Sequence, residues 1–228
     1  MIDEAQMLTI KRRFARPTKA QVAAFSGVLT GFVVDALGGR GALDPSVKPI
    51  AGSGPFVGVA VPCAAGPADN LAVFGGLLIA EPGDVVICAA DAFMHTAITG
   101  DLLLGMLKNK GVVAFVTDGA VRDLPGIRDV GLPCYAAGVT PNSPAKNGPG
   151  TAGLPVVVAG VTVGPGDIVV GDEDGVVVVP YGRIAEAIER LEVVKVAEEE
   201  MLARVQGGQT VPASIKALVE AGRFREVE

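Results

Sequence analysis

TGDLLLGMLKNKGVVAFVTDGAVRD, residues Thr99 to Asp123, reads as a helix and a strand set between two polar pairs. Gly100-Asp101 precedes an expected helix from Leu102 to Asn109. A strand from Val112 to Val116 then passes through an Asp118-Gly119 turn into Arg122-Asp123, with twenty residues between Asp101 and Arg122. A glycine ahead of a helix leaves backbone N–H groups without intrahelical acceptors, a seat for a carboxylate or phosphate. An arginine beside an aspartate at the end of a strand-turn unit suits an anion clamp next to a metal ligand. The same residues also fit a surface ion pair and an ordinary helix start, and spacing alone leaves both readings open.

Outward from this unit the chain alternates between helical and strand patterns. Upstream, Thr18 and Gln21 have capping-box spacing ahead of Val22, Phe25 and Val28, and a short helix from about Gly31 to Leu37 stops at Gly38-Gly39. Phe56 to Ala64 is an apolar strand between Gly-Pro turns, and Ala68 to Ala80 has helical periodicity with Leu71, Phe74, Leu78 and Ile79 as its apolar stripe. Val85 to Ala89 is the next strand. Downstream come a short helix from Pro125 to Val130, a strand from Cys134 to Ala137, and a Pro/Gly/Asn-rich segment from Pro141 to Gly153. Strands resume directly after that segment, which marks it as a functional loop or a subunit contact. Pro82-Gly83-Asp84 and Pro165-Gly166-Asp167 each lead an apolar run, which suggests two similar β units or shared turn chemistry. From Gly182 to about Val205 the pattern is helical and charged, with Ile184, Ile188, Leu191, Val194 and Met201 as a seam that either crosses the core or packs against another subunit. Continuously apolar strands between helices define an α/β class with buried sheets.

Bulk composition narrows the function. The 228 residues can form one substantial domain, with a core over about 17–180 and C-terminal helices over about 182–220. Only ten residues are Phe or Tyr and none is Trp, so the core must be built from aliphatic side chains. A net charge of −6 argues against nucleic acid as a direct partner. Three separated cysteines, each in an apolar run, read as buried hydrophobes of a reducing compartment. No apolar h-region opens the chain and no run of about 18 apolar residues occurs, so a cytoplasmic protein without membrane contact is expected.

The residue inventory excludes several chemistries. His95 is the only histidine, too few for a His-rich zinc site, and it is expected to pack or cap the segment before Gly100. A Schiff-base mechanism needs a desolvated lysine, whereas Lys108, Lys110, Lys146 and Lys195 stand in polar or glycine-rich contexts that read as solvated. Hard-metal chemistry with oxygen ligands remains, the kind in which Mg²⁺ uses one or two carboxylates, waters and substrate oxygens.

Gly100-Asp101, Leu102-Leu103 and Arg122-Asp123 resemble the signature of the divalent-metal-dependent pyruvate aldolases that cleave 4-hydroxy-4-methyl-2-oxoglutarate or 4-carboxy-4-hydroxy-2-oxoadipate. The resemblance runs from about Phe32 to Pro180 and includes GVTPNSPAKNGPG (Gly138 to Gly150) and PGDIVVGDEDGVVVVP (Pro165 to Pro180). The same family contains the regulator of ribonuclease activity A, a binding protein. The resemblance implies a β/β/α swivelling-domain-like sandwich with a C-terminal helical extension, assembled as a trimer or a hexamer. It implies Mg²⁺ or Mn²⁺ on Asp123, with Asp101 supporting through water, and a small 2-oxo acid substrate. Arg122 would contact the keto or enolate oxygen, and Gly100 with the backbone N–H groups of Leu102 and Leu103 would seat the substrate carboxylate. Oxaloacetate decarboxylation would accompany aldol cleavage, because both pass through pyruvate enolate. A glutamate from a neighbour's C-terminal helix reaches the site in relatives, and Glu199, flanked by Glu198 and Glu200, has the matching register. Gly126 departs from the many relatives that carry an acid three residues after the motif aspartate, which implies either a weaker metal site or a second shell filled by water or another residue.

Overall fold

The computed structural model describes residues 6–52 and 54–227. The reading of a leaderless N-terminus rests partly on residues 1–5, which lie outside the described residues. In chain order the strands are β1 (Leu8–Ile10), β2 (Lys48–Ala51), β3 (Phe56–Ala65), β4 (Asp84–Ala89), β5 (Ala97–Thr99), β6 (Ala114–Thr117) and β7 (Ala120–Val121). They continue as β8 (Cys134–Ala136), β9 (Gly138–Val139), β10 (Gly150–Ala152), β11 (Val156–Val158), β12 (Val161–Val163), β13 (Ile168–Gly171) and β14 (Val176–Val179). The helices are α1 (Lys19–Ala23), α2 (Thr30–Ala36), α3 (Leu71–Ile79), α4 (Asp101–Asn109), α5 (Leu124–Val130), α6 (Ile184–Gln206) and α7 (Ala213–Glu220). Two compact units divide the chain, one ending at Leu191 and one beginning at Glu192.

The main sheet of the first unit runs β1-β10-β3-β4-β6-β8-β2, with β13 also paired to β3 and β14 to β13. Its centre, β3-β4-β6-β8, is parallel, and its strands are buried on both faces, as the continuous apolar runs require. Along β4 the pleat sends Val86 and Cys88 to one core and Val85, Ile87 and Ala89 to the other. The first core is closed by α3, α4 and α5 through Ala72, Val73, Leu103, Leu104, Leu107 and Ile127. The second is closed by the β11–β12 hairpin through Val156, Val158 and Val163. Helices on one face and a β hairpin on the other give an α/β sandwich of the β/β/α kind, and a C-terminal helix follows it.

Several local expectations acquire their physical detail here. Thr18 caps α1 reciprocally with Gln21: Thr18 N–H donates to Gln21 Oε1 at 2.8 Å, and Gln21 N–H to Thr18 Oγ1 at 3.2 Å. The Pro-Gly-Asp repeat is a repeat of turn chemistry. Asp84 accepts from Glu81 N–H at 2.8 Å and Asp167 from Gly164 N–H at 2.7 Å, each three residues back. The strands that follow flank β3 on opposite sides, β4 parallel to it and β13 antiparallel.

The stripe expected on α3 is corrected. Its buried residues are Ala72, Val73, Gly75, Gly76 and Ile79, while Leu78 is 56% exposed. The helix approaches the sheet through its glycines, and a Cβ on Gly76 would lie 2.6 Å from Cys63 Sγ. On α6 the buried line is Ile184, Ala187 and Leu191, reached by a step of three and then a step of four, and Ile188 is only half-buried. Cys63, Cys88 and Cys134 are buried and free, as expected. Burial pushes the Cys63 and Cys134 thiols up to about 12 and raises that of Cys88 well above its ordinary value. Among the described residues no helix is long and apolar enough to cross a membrane.

Candidate active site

The twenty-residue spacing has a geometric cause in a second, three-stranded sheet, β5-β7-β9, all parallel. Thr99 at the end of β5 pairs with Val121 at the end of β7, and Arg122 N–H donates to Thr99 C=O at 3.1 Å. The intervening α4, β6 and turn therefore form a crossover that returns the chain beside its starting point. Gly100-Asp101 and Arg122-Asp123 are thus the neighbouring exits of two adjacent parallel strands. Asp118 secures the return: it is buried and accepts from Ala90 N–H at 2.6 Å. β9 lies next to β7, and the loop leaving it brings Pro144 and Lys146 to the same place and Ser143 against Arg122.

These exits surround a cavity of about 240 Å³ lined by Asn70, Phe74, Thr99, Gly100, Asp101, Leu102, Leu103, Met106, Arg122, Asp123, Pro144 and Lys146. Asp123 stands at the N-cap position of α5 with no side-chain capping bond, in the left-handed region at φ 62°, ψ 44°, a conformation that short polar residues such as aspartate tolerate better than most. Its Oδ2 lies 3.2 Å from Arg122 Nε, and Arg122 Nη1 donates to Ser143 Oγ. Gly100 leaves room for this pair: a Cβ there would collide with Asp123 Oδ2 and stand 3.2 Å from Arg122 Cγ. α4 starts at Asp101 with Gly100 as its N-cap. Leu103 N–H belongs to the first turn and has no acceptor within the helix, since the Thr99 carbonyl four residues back accepts from Arg122 instead. Leu102 N–H differs from expectation. It donates to Asp101 Oδ1 at 2.7 Å.

Gly126, the departure noted in the sequence, faces Asp101 directly. A Cβ at position 126 would lie 2.7 Å from Asp101 Cβ and 2.8 Å from its Cγ, and would overlap Oδ2. Asp101's own carboxylate therefore fills the space that a side chain at 126 would take. Glu199 is exposed on α6 and belongs to the second unit. His95 is exposed, edge-on to Phe93, and its carbonyl accepts from Asn142 Nδ2 at 2.8 Å.

Sequence reasoning missed Asn70, Phe74 and Lys146 as cavity residues. Lys146 was expected in solvent; it is exposed, yet it lines the cavity with its Nζ 5.6 Å from the centre of the Phe74 ring. The signal for it was the Pro/Gly/Asn-rich loop itself. That loop is fastened by buried Asp69, which accepts from Asn147 N–H at 2.5 Å and Gly148 N–H at 3.0 Å.

The donor set fits a hard divalent cation. Asp123 offers an oxygen ligand, 43% exposed at the cavity. Among the described residues no group of three or more His, Cys, Asp or Glu gathers to enclose a metal. An ion held here would keep waters and substrate oxygens in its shell, as Mg²⁺ and Mn²⁺ do and as structural zinc does not.

A mixed α/β sandwich with this pair of strand exits defines a class as well as a site. Residues 30–178 match the family model described as RraA-like, Aldolase/RraA, and the chain belongs to that family. A Halalkalibacterium halodurans protein named "Putative 4-hydroxy-4-methyl-2-oxoglutarate aldolase" is 37% identical over 162 residues, 71% of this chain and 77% of that protein. Among solved structures, the RNA-processing inhibitor RraA from Thermus thermophilis superposes with a TM-score of 0.62 at 31% identity, over 67% of this chain and 93% of its own. Streptomyces coelicolor RraAS2, described as an unusual member of the RNase ES inhibitor RraA protein family, superposes with a TM-score of 0.72 at 28% identity, over 84% of this chain and 100% of its own.

Proposed function

We propose that this chain is a divalent-metal-dependent carbon–carbon lyase that cleaves a 4-hydroxy-2-oxo diacid, of the 4-hydroxy-4-methyl-2-oxoglutarate or 4-carboxy-4-hydroxy-2-oxoadipate type, to pyruvate. The supporting observation is the parallel register of β5 and β7, which sets the start of α4, Arg122 and Asp123 around one cavity. Asp123 would hold Mg²⁺ or Mn²⁺, with Asp101 in support through water. When bound, the cation supplies Lewis-acid polarisation of a 2-oxo acid. The first turn of α4 receives the substrate carboxylate, through Leu103 N–H foremost. Arg122, held by Ser143 and Asp123, donates to the keto oxygen, where negative charge collects as the C3–C4 bond breaks. The C4 hydroxyl loses its proton to a water or to Glu199 of a second copy, C4 leaves as a carbonyl, and C3 is then protonated to give pyruvate. The same enolate arises from oxaloacetate on loss of CO₂, so decarboxylation accompanies cleavage. One domain with its C-terminal helices in oligomer contacts, as trimers or hexamers in the cytoplasm, completes the reading.

The test is pyruvate release from both substrates with and without chelator. Activity is abolished by EDTA and restored by Mg²⁺ or Mn²⁺; full activity in excess chelator ends the proposal. The alternative is a non-catalytic binding module, in keeping with the likeness to the two RraA structures. It predicts no pyruvate release under any metal condition.

A further inference from the structure

The loop leaving β9 is pinned to the segment 68–70, just ahead of α3, on both sides of Lys146. Before the lysine, Ala145 N–H donates to Ala68 C=O at 2.7 Å and Ala145 C=O accepts from Asn70 N–H at 3.0 Å. After it, the buried Asp69 accepts through Oδ2 from Asn147 N–H and Gly148 N–H, while its Oδ1 accepts from Leu71 N–H at 2.8 Å. One carboxylate thus joins the first N–H of α3 to the two residues that follow Lys146. Surface loops are ordinarily more mobile than the elements they connect, yet here the backbone is fixed on either side of an exposed lysine. That lysine lines the cavity with its Nζ 5.6 Å from the centre of the Phe74 ring. Among the described residues no acid forms an ion pair with it. Arg122, the other cation of the cavity wall, already has Asp123 at 3.2 Å.

A 4-hydroxy-2-oxo diacid brings two carboxylates to this cavity. The first turn of α4 takes one on the proposed reading, and Lys146 is the cavity cation without an acid of its own for the other. We infer that Lys146 is the specificity-determining residue that receives the distal carboxylate, and that Asp69 is the positioning residue that keeps it at the cavity wall. The inference rests on reading the cavity as a 2-oxo acid site. An ion pair on open surface contributes little, because water screens it and two flexible side chains must be ordered. A lysine whose backbone is already fixed loses less freedom on binding, and a charge-assisted bond gains strength where the substrate displaces water.

Lys146→Met keeps an unbranched stem and removes the charge, at an exposed position where the fold is not at risk. With Mg²⁺ present, KM for cleavage of 4-hydroxy-4-methyl-2-oxoglutarate rises roughly tenfold or more, while kcat stays within about threefold of wild type. Exchange of the pyruvate methyl protons for deuterium, followed by NMR, passes through the same enolate without a second carboxylate, and stays within about threefold as well. An unchanged KM, or equal losses in both reactions, overturns the inference. Asp69→Ser leaves a hydroxyl for Leu71 N–H but is too short to hold Asn147 and Gly148 too; circular dichroism and thermal melting check its fold. Its KM for the diacid rises in the same direction, and the double variant with Lys146→Met is no worse than Lys146→Met alone, because Asp69 acts through that lysine. Losses that add, or that extend to pyruvate exchange, overturn the positioning role. If the wild-type protein neither cleaves the diacid nor exchanges pyruvate protons, the lyase reading fails separately. Calorimetry with Mg²⁺ then decides, using 2-oxoglutarate and 2-oxopentanoate, acids of equal chain length with and without the second carboxylate. Binding of 2-oxoglutarate tighter by about tenfold, lost in Lys146→Met, upholds the role of Lys146; equal binding, or none, overturns it.

Discussion

Replacing Gly100 by alanine isolates the geometry of the candidate site from the stability of the fold. Gly100 has φ −141° and ψ −170°, extended backbone that alanine adopts freely, so the substitution introduces no backbone strain. Its whole effect is one methyl group, built against Asp123 Oδ2 and 3.3 Å from Arg122 Nε. Ordinary non-bonded contact needs about 3.5 Å, so the Asp123 carboxylate must retreat on the order of 1 Å. Asp123 is 43% exposed and has space to move, which confines the stability cost to under ~1 kcal/mol. A misplacement of that size at a reacting centre costs roughly 10²-fold in rate. The expected outcome is a folded protein with a melting temperature within a few degrees of wild type and pyruvate release reduced about a hundredfold. Mg²⁺ titration of activity should shift to higher concentration, since the displaced group is the proposed ligand. Wild-type turnover at wild-type Mg²⁺ would refute the close packing of Gly100 on the Arg122-Asp123 pair as a functional constraint.

Arg122→Lys gives a second test. Arginine uses Nε toward Asp123 and Nη1 toward Ser143, and a single ammonium cannot hold both while also reaching the substrate. Turnover should drop roughly 10²–10³-fold for aldol cleavage and for oxaloacetate decarboxylation alike, because both form the same enolate; a drop in one alone counts against enolate stabilisation. For the cysteines, a native-state thiol label should leave Cys63, Cys88 and Cys134 unmodified at pH 8, where thiols held up at about 12 are ionised only about one part in ten thousand. All three should react once guanidinium unfolds the chain, and rapid native labelling, read by mass spectrometry, would contradict their burial.

What the sequence made legible was local. The Thr18–Gln21 capping box, α4 behind its glycine and the apolar strands β3 and β4 all announce themselves within a few residues. The small sheet that creates the site did not: β7 and β9 are two residues long and β5 three, too short for any periodicity to register. The Asp101-to-Arg122 spacing was visible, but its cause was a register between Thr99 and Val121 that only the folded chain displays. Periodicity also weighs bulky residues, and α3 packs through Gly75 and Gly76, so Leu78 and Phe74 were placed in the core when neither is fully buried. Asn70 gave a misleading signal. Periodicity carries the helix back to Ala68, with Asp69 and Asn70 inside it, whereas α3 starts at Leu71 and Asp69 accepts from its first N–H. Leu102 N–H looked free for the same reason, since the conformation of Asp101 decides it.

Asp101 on α4 and Gly126 on α5 share room for one side chain. A side chain at 126 requires the Asp101 carboxylate to leave its present place. A chain passing between the two arrangements by single substitutions would pass through a form with an acid at Asp123 and at neither of the other two positions. On the proposed reading, an acid at position 126 would stand where the Asp101 carboxylate stands now.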